Sequence, residues 1–203
     1  MTNSLGDYLE GKTPVGIMGG HRTSRKSADY RQIVFLCRAL ARVGFLVVTG
    51  GGPGAMEAGN LGAYLAEKTD DEVEEALRII GAGNEEFEGV ECATCCFPYC
   101  VPHPHLFSSL RYLNQQPALN VIARFGLPTD MPSLGIPTYR YGHEPSNVFA
   151  TWHAKFFSNA IREDGLLAIS TGGIIYTRGG AGTRQEIFQV KSPFPHRPLS
   201  AHH

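Results

Sequence analysis

Two glycine clusters stand far apart in this chain: Gly50-Gly51-Gly52-Pro53-Gly54-Ala55-Met56-Glu57-Ala58 and Arg178-Gly179-Gly180-Ala181-Gly182-Thr183-Arg184-Gln185-Glu186. Each closes an apolar run of strand type and opens onto a helical pattern. A helix start leaves backbone N–H groups without intrahelical partners and carries the positive end of the helix dipole, so an anion is favoured there, and glycine lets it approach the bare backbone. One such turn is weak evidence, because any sharp strand-to-helix turn can use glycine without binding anything. Two of them, the second ending in Thr-x-x-Glu, point to a two-sided phosphate clamp.

The chain has 203 residues, which suits one domain and can bury most of its apolar surface without disulfides or metal. Its 24 glycines exceed the usual share of about 7% and gather at strand ends, which favours an α/β protein with many tight turns. A formal net charge of −1 gives no basic field to attract nucleic acid or an anionic membrane. A small anionic ligand held by local dipoles needs no such field. Met1 to Thr13 lacks an apolar signal-type core, and no run approaches a membrane span, so a soluble, cytoplasmic protein is expected. Five cysteines without a secretion signal argue for reduced thiols.

Along the chain, Pro14 to Met18 reads as a strand ending at Gly19-Gly20. Tyr30 to Val43 follows as a helix, with Ile33, Val34, Leu36, Cys37, Leu40, Ala41 and Val43 at helical spacing. Gly44 stops that helix, and Phe45 to Val48 is a continuous apolar run typical of a strand buried on both faces. Met56 to Ala66 and Asp70 to Ile80 read as helices, the second with Asp70, Asp71 and Glu72 in its first turn, where negative charge suits the dipole.

Beyond these, the pattern weakens. Asn84 to Asn120 is poorly patterned, Leu119 to Phe125 fits either a strand or a helix end, and the stretch 84–132 is expected to be an irregular insertion. Leu134 to Tyr141 looks like a strand made irregular or edge-like by Pro137. Phe149 to Ile161 is expected to be helical, burying Phe149, Trp152, Phe156, Ala160 and Ile161. Leu166 to Ile169 and Gly173 to Tyr176 are apolar runs, the latter delivering the second glycine turn, and Arg184 to Gln189 begins a helix. Alternating strands and helices with parallel crossovers give an α/β fold with a doubly wound, mainly parallel sheet and helices on both faces, one domain over 1–189. Val190 to His203, with three prolines and no apolar period, is expected to be loose or disordered. It reads equally as a chain cut short, a frame change, or a genuine arm.

The two turns resemble those of the Lonely Guy (LOG) family, once labelled possible lysine decarboxylases. The family's marks are a Gly-Gly-Gly turn after the second strand and a later Pro-Gly-Gly-x-Gly-Thr-x-x-Glu turn. Tyr141-Gly142-His143-Glu144-Pro145 and the stretch Asn147 to Leu167 look like its longer bacterial branch. The likeness runs roughly from Pro14 to Gln189 and is thin between Asn84 and Pro132. It implies a homodimeric Rossmann-like nucleotide-binding fold. It also implies hydrolysis of a nucleoside 5′-monophosphate, AMP-like, to free base and ribose 5-phosphate, with no cofactor and no decarboxylase chemistry. Three departures stand out. Arg178 replaces the family's proline. The family's catalytic arginine has no clear counterpart, Ala154 falling near its place with Lys155 adjacent and Arg162 two turns on. Family members also continue well past Gln189.

On that resemblance, the amides of Gly179, Gly180, Ala181, Gly182 and Thr183, with the Thr183 hydroxyl, hold the 5′-phosphate, while Gly51, Gly52 and Gly54 close on the ribose side. Breaking an N-glycosidic bond builds positive charge on the ribose, and a fixed carboxylate stabilises that state and can orient water. Glu186, one turn from Thr183, is the leading candidate for this role; it also fits a capping box with Thr183, and both can hold at once. Lys155, then Arg162, are the candidate cations, each otherwise an ordinary solvated helix charge. Arg22, in the loop after the first strand, can reach a phosphate or face water, and Arg178 adds a cation where a phosphate would sit. His143-Glu144 fit base or ribose contacts, or a turn and a salt-bridged carboxylate. Glu57 and Asn60, one turn apart, fit ribose contacts or packing on the preceding helix.

Cys92, Cys95, Cys96, Cys100, His103 and His105 are soft ligands crowded into one short stretch without a second paired knuckle. Buried thiols and loop histidines are therefore preferred to zinc, and no metal is expected. Two other function classes remain open: a nucleotide-binding or carrier module without turnover, and a DNA-processing protein. Near-neutral charge and the lack of interleaved basic and aromatic residues count against the latter.

Overall fold

The computed structural model describes residues 4–83, 104–128, 131–138 and 146–179, with side chains in the helix at 104–125 described from 115 onward. The elements in chain order are α1 (Ser4–Leu9), β1 (Thr13–Met18), α2 (Ala28–Arg42), β2 (Phe45–Thr49), α3 (Ala55–Tyr64) and α4 (Asp70–Gly81). They continue with α5 (Pro104–Phe125), β3 (Ser133–Gly135), β4 (Trp152–His153), α6 (Asn159–Ile169) and β5 (Gly173–Tyr176). The five strands form one sheet in the order β4-β3-β2-β1-β5, every neighbouring pair parallel.

Side chains of a strand alternate between faces, and both faces here are covered. Val15, Ile17 and Val47 point into a core built with Tyr30, Ile33, Val34 and Cys37 of α2 and with α3, α4 and α5. Met18, Leu46, Val48 and Leu134 point the other way, onto Leu166 of α6, with Leu5, Tyr8 and Leu9 of α1 packed alongside. The fold is therefore a doubly wound, Rossmann-like α/β sheet with helices on both faces, as the alternation of elements implies.

Local chemistry accounts for the well-patterned helices. Ser27 caps α2 by accepting from the Tyr30 amide at 3.1 Å, and Thr69 with Glu72 forms a reciprocal capping box at α4. Hydrogen bonds from the Thr69 backbone and hydroxyl hold the Glu72 carboxyl below its ordinary range. All of α3 is buried, sandwiched between the sheet and its neighbouring helices.

Three expectations change. Part of the stretch expected to be irregular is the helix α5, with Leu119 to Phe125 forming its end, and Ala118 and Val121 are buried against the helical core. Pro117 inside it, which removes one backbone donor, and its weak amphipathic pattern hid it. Phe149 to Ile161 is not one helix: β4 occupies Trp152–His153, and a helix starts only at Asn159. Phe149 is buried as expected, but Trp152 and Ile161 are 56% and 59% exposed. The Asn147 side chain accepts from the Phe149 and Ala150 amides at 3.2 and 3.3 Å, and Thr151 Oγ1 donates to the Ser133 carbonyl at 2.8 Å. These bonds draw the segment into pairing with the free edge of β3, which outweighs its helical spacing. Finally, the strand expected from Leu134 is short: β3 covers Ser133–Gly135, and Thr138 makes an isolated parallel bridge to Phe156, while the apolar run Leu166 to Ile169 is the end of α6.

Candidate functional site

In a doubly wound sheet, ligands bind outside the carboxyl ends of the strands where the chain's winding direction reverses. Here the chain runs outward from β1 through β2, β3 and β4, then returns to place β5 on the other side of β1. The crevice therefore opens between the ends of β1 and β5, and the glycine-bearing strand ends meet there. The Gly20 amide donates to the Arg178 carbonyl at 3.1 Å, the Thr177 amide to Met18 O at 2.8 Å, and the Ala55 amide to Gly20 O at 3.0 Å. A Cβ built on Gly20 would lie 3.3 Å from Gly179 Cα. The first glycine turn, the Gly19-Gly20 pair and the first residues of the second turn thus lie side by side along one edge.

The first turn is closed from within. Gly51 and Gly54 have φ of +72° and +68°, a region that side-chain-bearing residues rarely adopt. Added Cβ atoms would stand 3.0 Å from Ile136 N at Gly51 and 2.5 Å from the Gly20 and His21 carbonyl oxygens at Gly54. The first amide of α3, on Ala55, is already satisfied by Gly20. Both glycines are thus required by the fold itself.

Beneath this turn lie two polar networks. Glu57, 4% exposed, takes a forked bond from Arg25, Nε to Oε2 at 2.8 Å and Nη2 to Oε1 at 2.6 Å. Tyr30 Oη adds a bond to Glu57 Oε2 at 3.0 Å. Burial, then the adjacent Glu57 charge, pushes the Tyr30 hydroxyl well above its ordinary pKa. In the second network Thr49 Oγ1 donates to Asn60 Oδ1 at 2.7 Å and receives the Gly51 amide at 3.0 Å. Asn147 Nδ2 donates to Asn60 Oδ1 at 3.0 Å and to Gly52 O at 3.2 Å. A cleft of about 10 Å³, room for about one water molecule, is lined by Arg25, Pro53, Glu57, Gln115, Asn147 and Val148.

The candidate residues divide among these positions. Glu57 faces Arg25 and Tyr30, while Asn60 faces Thr49 and Asn147, so their one-turn spacing serves two separate networks. Arg22 is exposed on the loop between β1 and α2. Arg178 is 89% exposed, with Nη1 3.7 Å from Asp29 Oδ2. Lys155 is exposed just beyond β4, on the outermost strand. Arg162, in the first turns of α6, lies against the first glycine turn. Its Nη1 is 3.5 Å from Gly50 O, its Nη2 is 3.6 Å from Glu163 Oε1, and its buried Nε has no partner among the described residues. Of the two candidate cations, Arg162 is the one at the glycines. Gly180, Ala181, Gly182, Thr183, Glu186 and His143 lie outside the described residues, as do Cys92, Cys95, Cys96, Cys100, His103, the side chain of His105 and the segment 190–203.

Sequence reasoning missed Arg25 and Asn147. Arg25 sits in a polar run that reads as solvated loop, and nothing local marks it as the partner of a carboxylate 32 residues on. Asn147 carried the only available signal: an asparagine just before an apolar stretch, a residue type that readily holds backbone amides.

These features define an α/β protein of the doubly wound, Rossmann-like class with a glycine-built crevice at the carboxyl edge of its sheet. No protein-family model matches the chain, and comparison with curated proteins returns no match. No helix among the described residues is long and apolar enough to cross a membrane.

Proposed function

We propose that this protein hydrolyses the N-glycosidic bond of a nucleoside 5′-monophosphate, as the resemblance of its two glycine turns to the LOG family implies. The observation that carries the reading is the meeting of three glycine-bearing strand ends at the β1–β5 crevice, with Gly20 bonded to Arg178 beside the first turn. Such an edge suits an anion, because helix starts gather at the carboxyl ends of parallel strands and carry the positive ends of their dipoles.

In this reading Gly179 to Thr183 cradle the 5′-phosphate, with Arg178 and Arg22 as exposed cations at the rim. Arg162, already against Gly50, supplies the inner positive charge. Glu186 stabilises the cationic ribose and orients water. The water oxygen bonds to C1′, the C1′–N bond breaks, and its electron pair leaves with the base, which ends protonated. The products are free base and ribose 5-phosphate. The reading carries a homodimer acting in the cytoplasm, with no cofactor.

Incubation with AMP, GMP or a cytokinin ribotide tests it. Free base is expected from at least one substrate, with release abolished in Glu186→Gln and strongly reduced in Arg162→Met. Release from none of the three by the wild-type dimer would discard the enzyme; tight nucleotide binding without turnover would make it a carrier module.

A further inference from the structure

Asn147, 5% exposed on the loop leading to β4, grips the first glycine turn with both backbone and side chain. Its amide donates to Gly51 O at 2.8 Å, and its Nδ2 donates to Gly52 O at 3.2 Å and to Asn60 Oδ1 at 3.0 Å. The grip is itself braced. Asn147 Oδ1 accepts from the Phe149 and Ala150 amides, and its carbonyl oxygen lies 3.2 Å from His153 Nε2.

A trans peptide is planar, so each carbonyl points opposite to the N–H that follows it. Drawing Gly51 O onto Asn147 therefore turns the Gly52 N–H away from it. Drawing Gly52 O inward as well keeps a second carbonyl off the crevice, and Pro53 has no N–H to offer in exchange. Consecutive glycines have almost no intrinsic preference between this arrangement and a flipped one, so an external group must choose. A flipped peptide would present a carbonyl oxygen, and its partial negative charge, to an anionic ligand.

We propose that Asn147 is a positioning residue for the crevice. It locks the Gly51 and Gly52 carbonyls inward so that the turn meets a phosphorylated ligand with an N–H group rather than with carbonyl oxygen. The inference rests on the nucleotide reading above. It also explains why an amide side chain stands there: the site needs a donor for Gly52 O and Asn60 and an acceptor for two backbone amides, and asparagine supplies both at once. Aspartate keeps the acceptor and sets a second oxygen against Gly52 O and Asn60 Oδ1.

The test measures AMP, inorganic phosphate and adenosine binding by calorimetry in wild type, Asn147→Asp and Asn147→Ser, with a thermal midpoint as the check on folding. Loss of AMP affinity by about tenfold or more is expected in both variants, with phosphate following and adenosine nearly unchanged. A merely structural role would weaken AMP and adenosine alike, and that result overturns the proposal. So does unchanged AMP binding in a folded variant. Should the variants not fold, amide hydrogen exchange in the wild type decides: AMP should slow exchange at Gly52, and no slowing there overturns the assignment. Absence of any AMP or phosphate binding by the wild type overturns the nucleotide reading first and this inference with it, whereas wild-type binding that survives in the variants removes this inference alone.

Discussion

The two glycine turns are built from similar letters and occupy different surroundings. The turn after β2 is buried, its two positive-φ glycines wedged against backbone atoms just past the ends of β1 and β3, and its carbonyls bonded to Asn147. The described start of the turn after β5 is open: Arg178 and Gly179 are exposed, tethered through Arg178 O to Gly20. A strand-end glycine cluster in a sequence thus marks close approach of backbone to something. At Gly51 and Gly54 that something is the protein itself; at the turn after β5, the proposal above assigns it to a ligand.

That contrast can be broken experimentally. The largest effect is expected at Gly54→Ala, where a disallowed φ and a Cβ 2.5 Å from two carbonyl oxygens act together. A loss of about 4 kcal/mol in urea unfolding is expected. Gly173→Ala, at the start of β5, also has a positive φ, but nothing lies within 4 Å of the added carbon. Strain alone should cost it about 2 kcal/mol. Equal losses at the two positions would remove the distinction between packed and open glycines.

Next in size is the ion pair under the closed turn. Glu57→Ala strands a largely buried Arg25 and leaves Tyr30 without its acceptor, for an expected loss of about 3 kcal/mol by denaturation. The exposed pair at the open turn supplies the opposite extreme. Arg178→Ala should shift stability by less than about 0.5 kcal/mol, because solvent screens its contact with Asp29. It should nevertheless weaken AMP binding in low salt. A large stability loss there would show that the open turn is also structural.

Alkaline titration gives a smaller and more local signal. Tyr30 in the folded protein holds its proton well above the ordinary value of 10.0. The folded state then binds more protons than the unfolded one above that pH, so stability is fully present below it and falls as pH rises towards the folded pKa. Tyr30→Phe should flatten that fall in a pH series of unfolding curves, at the cost of its bond to Glu57. The smallest effect concerns Cys37, whose thiol burial pushes up to about 12. Native protein should leave Cys37 unlabelled by a thiol reagent at neutral pH, read by peptide mass spectrometry, with labelling appearing on unfolding.

Elements whose signals are local were legible before any coordinates. β1, α2, β2 and α4 carry their own apolar period, cap and stop, and the sheet's parallel order follows from how they alternate. The elements that were not legible depend on distant partners. β4 is extended because Leu134 and Gly135 offer it a free edge, Thr151 bonds Ser133, and Asn147 turns the chain into it. Spacing alone made the same residues a helix. The Arg25–Glu57 pair joins residues from different loops and helices, and no window of sequence contains both partners in context.

By itself, then, the chain determined the class of fold and the presence of glycine turns at strand ends, because periodicity and backbone freedom are properties of neighbouring residues. The tertiary structure alone decided which turn is sealed, which cation reaches it, and which side chains fix its peptides. Those outcomes depend on distances between residues far apart in sequence, and only packing sets such distances.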